Sequence, residues 1–136
     1  MYVIVIGCGR AGSEVASRLS AEGHAVVVID REKLAFERLA KDFKGTTVVG
    51  QAIDSHTLES AGIAKANAVI ATTYGDNSNL TAVQIARAVY NVPRAIARVK
   101  DPIRARVFRE LGVETLCSTA IMAEAILGAL SRPTQA

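Results

Sequence analysis

The stretch from Val3 to Asp30 constrains the chain more than any other. Val3-Ile4-Val5-Ile6 is followed at once by Gly7-Cys8-Gly9-Arg10-Ala11-Gly12, then by a helical pattern, then by Val26-Val27-Val28-Ile29-Asp30. A G-x-G-x-x-G that leaves a β-branched run, opens a helix and is answered by an acid 18 positions after its last glycine is the dinucleotide-binding arrangement. Gly7 turns the chain off the strand, Gly9 lets a pyrophosphate approach the backbone, and Gly12 lets the helix lie close to the strand. The helix N-terminus offers unpaired N–H groups and a partial positive charge to that phosphate. Asp30 can accept hydrogen bonds from ribose hydroxyls, which disfavours a 2′-phosphate.

The remaining pattern predicts one α/β domain. A first helix spans about Arg10 to Glu22, with Gly23 as its stop, and Ala25–Ile29 is strand two. Phe36, Leu39, Ala40 and Phe43 recur at helical spacing and predict a second helix ended by Gly45. Thr46–Val49 is a third strand, and Asp54 is placed to N-cap a short helix through Ala61. Ala68–Thr72 is strand four. The next helix carries Ala82, Val83, Ala86, Val89 and Tyr90 on one face. Ala95–Val99 is strand five. Asp101 and Pro102 open a helix with Ile103, Val107 and Leu111 facing inward. Val113–Leu116 is strand six, and a last helix to about Leu130 buries Met122, Ala125, Ile126 and Ala129. Residues 1–130 then form the domain and 131–136 a flexible tail.

Strands alternating with helices predict a Rossmann-like doubly wound parallel sheet of about six strands. Right-handed crossovers give the order 3-2-1-4-5-6. The ligand crevice lies beyond the C-terminal strand ends, between strands one and four. Gly7–Gly12, Asp30-Arg31, Gly50–Asp54 and Thr72–Asn77 reach it, and Arg98 reaches its rim. Such a sheet is buried on both faces, which suits a chain that is half hydrophobic with 4% aromatics. No apolar run approaches a membrane span, and a strand beginning by Val3 leaves no room for a signal peptide. Cys8 and Cys117 make neither a disulfide framework nor a zinc spacing, which suits a reducing cytosol.

Catalytic equipment is sparse. Six strands and their helices consume the chain, so an NAD-dependent oxidoreductase would lack a substrate domain. Tyr90 is followed four positions later by Arg94, not lysine. His24 belongs to the turn opposite the crevice and His56 to a short polar helix. Cys8 sits where a helix N-terminus can lower a thiol pKa, or is a small residue filling a turn. Arg10 can pair with phosphate oxygens or face solvent. Thr72 and Thr73 can offer hydroxyls to a ligand or serve strand propensity. Asp76 can cap its helix, and Arg31 can lie over an adenine ring or in solvent. Residues 94–109 hold six cations against Asp101, a net +5 within a chain of net +3. They suggest a redox-responsive nucleic-acid binder as a third reading, but they lack stacking aromatics and a recognition-helix motif. A solvated helix face with one or two anion-binding arginines is the better reading, with no direct nucleic-acid contact.

Taken together, Gly7–Gly12, Ile29-Asp30, Gly50-Gln51-Ala52-Ile53-Asp54, Leu58-x-x-Ala61-Gly62, Ala71-Thr72-Thr73, Asp76-x-x-Asn79-Leu80, Ile96-Ala97-Arg98 and Leu111-Gly112-Val113 resemble a known family. It is the RCK or TrkA-N (KTN) family, the N-terminal nucleotide-binding domain of potassium-transport regulators. The resemblance runs from Met1 to about Leu130. It implies a non-enzymatic cytoplasmic regulator, peripheral to the inner face of the membrane. Such a protein binds NAD(H) or an adenine nucleotide (ADP, ATP or AMP) and controls a membrane potassium channel or transporter subunit. It implies a homodimer through the face carrying the later helices, or a higher ring assembly. By motif, Gly7, Gly9, Arg10 and Gly12 would hold phosphates, Asp30 the ribose and Asp54 the adenine side, with Thr72 and Thr73 lining the cleft. Cys8, Ala11, Arg31, Gln51, Ala52 and Arg98 complete the candidate set. Gln51 stands where the family commonly has Asp, and Ser118 where proline is frequent. The smaller C-terminal ligand-binding lobe of such regulators has no counterpart in these 136 residues.

Overall fold

The computed structural model describes residues 1–134. Six strands form one sheet: β1 (Tyr2–Ile6), β2 (Ala25–Asp30), β3 (Thr46–Val49), β4 (Ala68–Ala71), β5 (Arg94–Val99) and β6 (Glu114–Cys117). All neighbours pair in parallel in the order β3-β2-β1-β4-β5-β6, the expected doubly wound arrangement. The five helices are α1 (Arg10–Ala21), α2 (Ser55–Ser60), α3 (Asp76–Ala88), α4 (Pro102–Glu110) and α5 (Ser118–Ser131).

Strand alternation divides the core in two. Ile4, Ile6, Val27, Ile29 and Val69 face α2 and α3, where Leu58, Leu80, Val83 and Ala86 close over them. Val3, Val5, Val26 and Val28 face α1, against Ala16 and Ala35. β1 is thus buried on both sides, as a central parallel strand requires. The crossover point between β1 and β4 opens at the C-terminal strand ends.

Four expectations need correction. The region after Asp30 forms a 3₁₀ turn, Lys33–Arg38, rather than an α-helix. Phe36, Leu39 and Phe43 still pack half-buried against the second core. Leu39 is extended, and the backbone N–H groups of Ala40 and Lys44 donate to Ser17 Oγ and Ser20 Oγ of α1, both at 3.0 Å. Side chains of α1 supply the acceptors that a helix would otherwise have provided. α3 buries Ala82, Val83 and Ala86 as expected but ends at Ala88, which leaves Val89 exposed.

α4 turns a different face inward. Ala105 is buried and Phe108 half-buried, while Ile103 (65%) and Leu111 (71%) are exposed and Val107 points the same way. Ala105 brings the helix close enough to β6 for its carbonyl to accept from Thr115 Oγ1 at 3.0 Å. α5 departs most: none of its residues is buried, including Met122, Ala125, Ile126 and Ala129. It leaves β6 directly, with Cys117 as its N-cap, and reaches Ser131, one residue into the expected tail. Residues 135 and 136 lie outside the described residues.

Candidate functional site

A crevice of about 1350 Å³ opens beyond the C-terminal ends of β1, β2 and β4. Gly7, Cys8, Gly9, Arg10 and Ala11 form one wall, Asp30 and Arg31 a second, Gln51 and Ala52 a third, and Thr72, Thr73 and Arg98 a fourth. Twelve of the fourteen candidate residues therefore meet at one place.

The glycine loop explains itself locally. Gly7 adopts φ +97°, a left-handed conformation that L side chains resist, and its N–H donates to the Ile29 carbonyl at 2.8 Å. Gly9 is the N-cap of α1, and a Cβ there would meet nothing within 4 Å, so the space before the helix N-terminus is open. The first-turn N–H groups of α1 have no intrahelical acceptors and face an anion-sized opening. Gly12 is not on the crevice wall. A Cβ at Gly12 would strike the Gly7 carbonyl and Thr72 Oγ1, so it is the packing glycine of the motif.

Asp30 ties the site together. Its Oδ2 accepts the Cys8 N–H at 2.8 Å and its Oδ1 accepts the Glu32 N–H at 2.8 Å. Two backbone donors fix the carboxylate plane, and lone pairs on both oxygens remain for a ligand hydroxyl. Arg38 reaches across from the 3₁₀ turn to the Cys8 carbonyl at 3.3 Å. Sequence reasoning missed Arg38 because it stood inside an expected helix.

The other wall depends on a second residue that sequence reasoning left without a role. Asn79 is fully buried. Its Oδ1 accepts from Thr73 N at 2.9 Å and from Thr73 Oγ1 at 2.7 Å. Its Nδ2 donates to the carbonyls of Thr73 and Arg98, both at 2.9 Å. All four hydrogen-bonding positions of the amide are used, and the ends of β4 and β5 are clamped to α3. A buried amide one turn into an apolar helix was the available signal. Thr72 lines the crevice, yet its Oγ1 faces the Ile6 and Gly7 carbonyls at 3.1 Å, so its hydrogen is held by the strand ends.

Several candidates have structural partners instead. Asp54 does not line the crevice; it caps α2, accepting from His56 N at 3.2 Å and Thr57 Oγ1 at 3.1 Å. Asp76 does not cap α3, whose N-cap is Gly75. It accepts the N–H groups of Lys100 at 2.9 Å and Asp101 at 3.2 Å. Cys8 is buried, and burial together with the Asp30 carboxylate pushes its thiol pKa up, against a smaller opposing effect of Arg38. The neutral thiol is favoured, and Cys8 fills space rather than acting as an activated nucleophile. The basic segment is dispersed: Arg94 pairs with Glu114 at 2.9 Å, Arg104 sits 4.0 Å from Asp76, Arg109 bonds the Thr115 carbonyl, and Arg98 enters the crevice. That spread makes no continuous stripe for a nucleic-acid backbone. Among the described residues, no three His, Cys, Asp or Glu side chains could hold a metal.

A parallel 3-2-1-4-5-6 sheet with a glycine loop at its crossover point defines a Rossmann-like nucleotide-binding class of fold. The family model of the TrkA-N domain matches residues 3–119, and the chain belongs to that family. It is 42% identical over 127 residues to a Trk system potassium uptake protein TrkA of Streptomyces coelicolor, covering 93% of this chain and 57% of that protein. The chain thus spans little more than half the length of that relative. Among solved structures, the TrkA-N domain of the inner membrane protein ybaL from Escherichia coli superposes with TM-score 0.84 at 23% identity, covering 96% of each chain. The Kef C-terminal domain of Shewanella denitrificans in its AMP-bound form superposes with TM-score 0.80 at 25% identity, covering 97% of this chain and 83% of that one.

Proposed function

We propose that this domain senses an adenine nucleotide or NAD(H) and passes its occupancy to a membrane potassium channel or transporter. The observation that carries the reading is the crevice itself. An open helix N-terminus and a pre-oriented Asp30 share the crevice, and no group of three His, Cys, Asp or Glu side chains among the described residues could hold a metal. Such a site binds phosphate and ribose but has little to perform chemistry with, so a regulatory role fits better than catalysis. The TrkA relative and the AMP-bound Kef domain support the same class of ligand and partner. No helix among the described residues is long and apolar enough to cross a membrane. In this reading the domain acts on its membrane partner from the cytoplasmic face. In the ligand pose we favour, phosphates meet Gly7, Gly9 and the α1 N-terminus, and the ribose meets Asp30. Gln51 and Ala52 border the base. Turnover of NADH with a carbonyl panel would instead support an oxidoreductase.

Assembly follows from the corrected packing. On the α1 side of the sheet, Ile70 and Ile96 of β4 and β5 are only half-buried and Leu116 of β6 is exposed. Ile121, Met122, Ile126, Leu127 and Leu130 of α5 add apolar surface that this chain does not cover, and Ile103, Val107 and Leu111 of α4 expose more on the other side of the sheet. Uncovered apolar surface of that extent marks an interface, and we assign it to a homodimer that can build into rings. Sedimentation should give a dimer at micromolar concentration, and Ile126→Glu with Leu127→Glu should give a folded monomer. A wild-type monomer, with and without nucleotide, would remove this assignment.

Arg10 carries the discrimination among nucleotides. Its side chain lines the crevice, is exposed, and makes no hydrogen bond or ion pair among the described residues. The glycine loop meets the first phosphates of every adenine nucleotide alike, so a switch needs a group that sees a difference. Arg10→Ala should weaken ATP about tenfold to a hundredfold by loss of charge-assisted hydrogen bonds, and ADP and NAD far less. Equal losses for ATP and ADP by calorimetry would reduce Arg10 to general phosphate attraction.

A further inference from the structure

We propose that Tyr74, Arg98 and Lys100 form a second subsite on the β5 side of the crevice. It accepts the distal half of a dinucleotide and prefers an uncharged planar ring to a cationic one. The proposal rests on the nucleotide-sensing reading above and names a specificity determinant within it.

Three observations converge. Tyr74 lines the crevice yet is 82% exposed, so its ring is largely uncovered by the protein. Two cations stand over that ring: the Arg98 guanidinium carbon is 5.7 Å from its centroid and the Lys100 Nζ is 5.0 Å. Both lie within cation–π range and hold the ring at the rim. The third observation is charge. Arg98 is half-buried on the crevice wall, and its guanidinium makes one long hydrogen bond, 3.5 Å to the Thr72 carbonyl. Among the described residues neither Arg98 nor Lys100 has an ion pair. The neighbouring acid, Asp76, is committed to the backbone of Lys100 and Asp101 and to Arg104.

The two ends of the crevice therefore differ in chemistry. The β2 end has Asp30, a carboxylate acceptor for ribose hydroxyls. The β5 end has Arg98 on its wall and the Tyr74 ring beside it, with Lys100 next to that ring rather than on the wall, and neither cation has an ion pair among the described residues. AMP, with its ribose at Asp30 and its single phosphate at α1 in the proposed pose, has no second ring or second phosphate to offer Tyr74 and Arg98. A dinucleotide continues past its second phosphate toward that end, where its ring can stack on Tyr74 and its second phosphate or ribose can meet Arg98. A positively charged ring placed there is repelled by both cations, and a neutral one is not.

Calorimetric titration of the wild type, Tyr74→Ala and the Arg98→Gln/Lys100→Gln double variant with AMP, NADH and NAD⁺ tests this. Wild type should bind NADH several-fold more tightly than NAD⁺. Tyr74→Ala should weaken NADH fivefold or more and leave AMP within twofold. The double variant should bring the NADH and NAD⁺ affinities to within twofold of each other. Equal losses for AMP and NADH in Tyr74→Ala would overturn the proposal, as would an unchanged NADH preference in the double variant. Absence of any AMP or dinucleotide binding by the wild type would instead sink the nucleotide-sensing reading itself. Circular dichroism confirms that each variant is folded; the Tyr74 ring is exposed, so its removal should leave the fold intact.

Discussion

Asn79→Ala should cost about 2–4 kcal/mol of folding stability, since each buried group left unpaired costs about 1–3 kcal/mol and the Thr73 N–H and Arg98 carbonyl would both lose their partner in a part-buried setting. Few surface-distant substitutions in this chain remove as many hydrogen bonds at once. The consequence also reaches the site. Asn79 fixes the Thr73 backbone on both sides and holds the end of β5, so the wall made by Thr72, Thr73 and Arg98 would lose its reference point. Urea unfolding should show a lower midpoint with an unchanged slope. A loss below about 1 kcal/mol would mean that water or a shifted Thr73 replaces the amide without penalty.

Asp30→Ala should weaken nucleotide binding about tenfold to a hundredfold, the loss of hydrogen bonds to a charged acceptor worth about 1.5–3 kcal/mol. The structure adds a second contribution. The carboxylate also holds the Cys8 and Glu32 N–H groups, so its removal loosens the glycine loop along with the ribose contact. Asp30→Asn separates the two. An amide keeps one acceptor oxygen for the backbone but loses the charge, and its affinity should fall between wild type and Asp30→Ala. Unchanged affinity in a folded Asp30→Ala protein would remove the ribose assignment.

The sheet order was legible because β-branched runs, glycine stops and one fingerprint all agree along the chain, and right-handed crossovers leave few alternatives. Where a feature depended on contacts distant in sequence, the pattern misled. Phe36, Leu39 and Phe43 have helical spacing and do pack inward, but Ser17 and Ser20 of α1 capture the backbone that would have closed the helix. Met122 and Ile126 read as a core stripe because periodicity records that a face is apolar, not which molecule covers it. The crevice walls were legible from the loops that reach strand ends. The roles within them were less so: Thr72 and Asp54 have the chemistry of ligands but spend it on the Ile6 and Gly7 carbonyls and on the α2 N-terminus. Asn79, quoted only as part of a motif and given no role, and Arg38, in no motif at all, gave the opposite case: they organise the site through contacts only the fold creates.

Nucleotide occupancy of the crevice is most directly measured by thermal unfolding with AMP, ADP, ATP, NAD⁺, NADH and NADP⁺ in separate titrations. A ligand at about 100 times its Kd should raise stability by about 2.7 kcal/mol, and the shift should grow with the logarithm of concentration. We expect at least one nucleotide with a free 2′-hydroxyl to do this, and NADP⁺ to shift the midpoint least, because in the proposed pose Asp30 would face its 2′-phosphate. A protein whose unfolding is indifferent to all six at millimolar concentration would contradict the assignment of this crevice to a nucleotide.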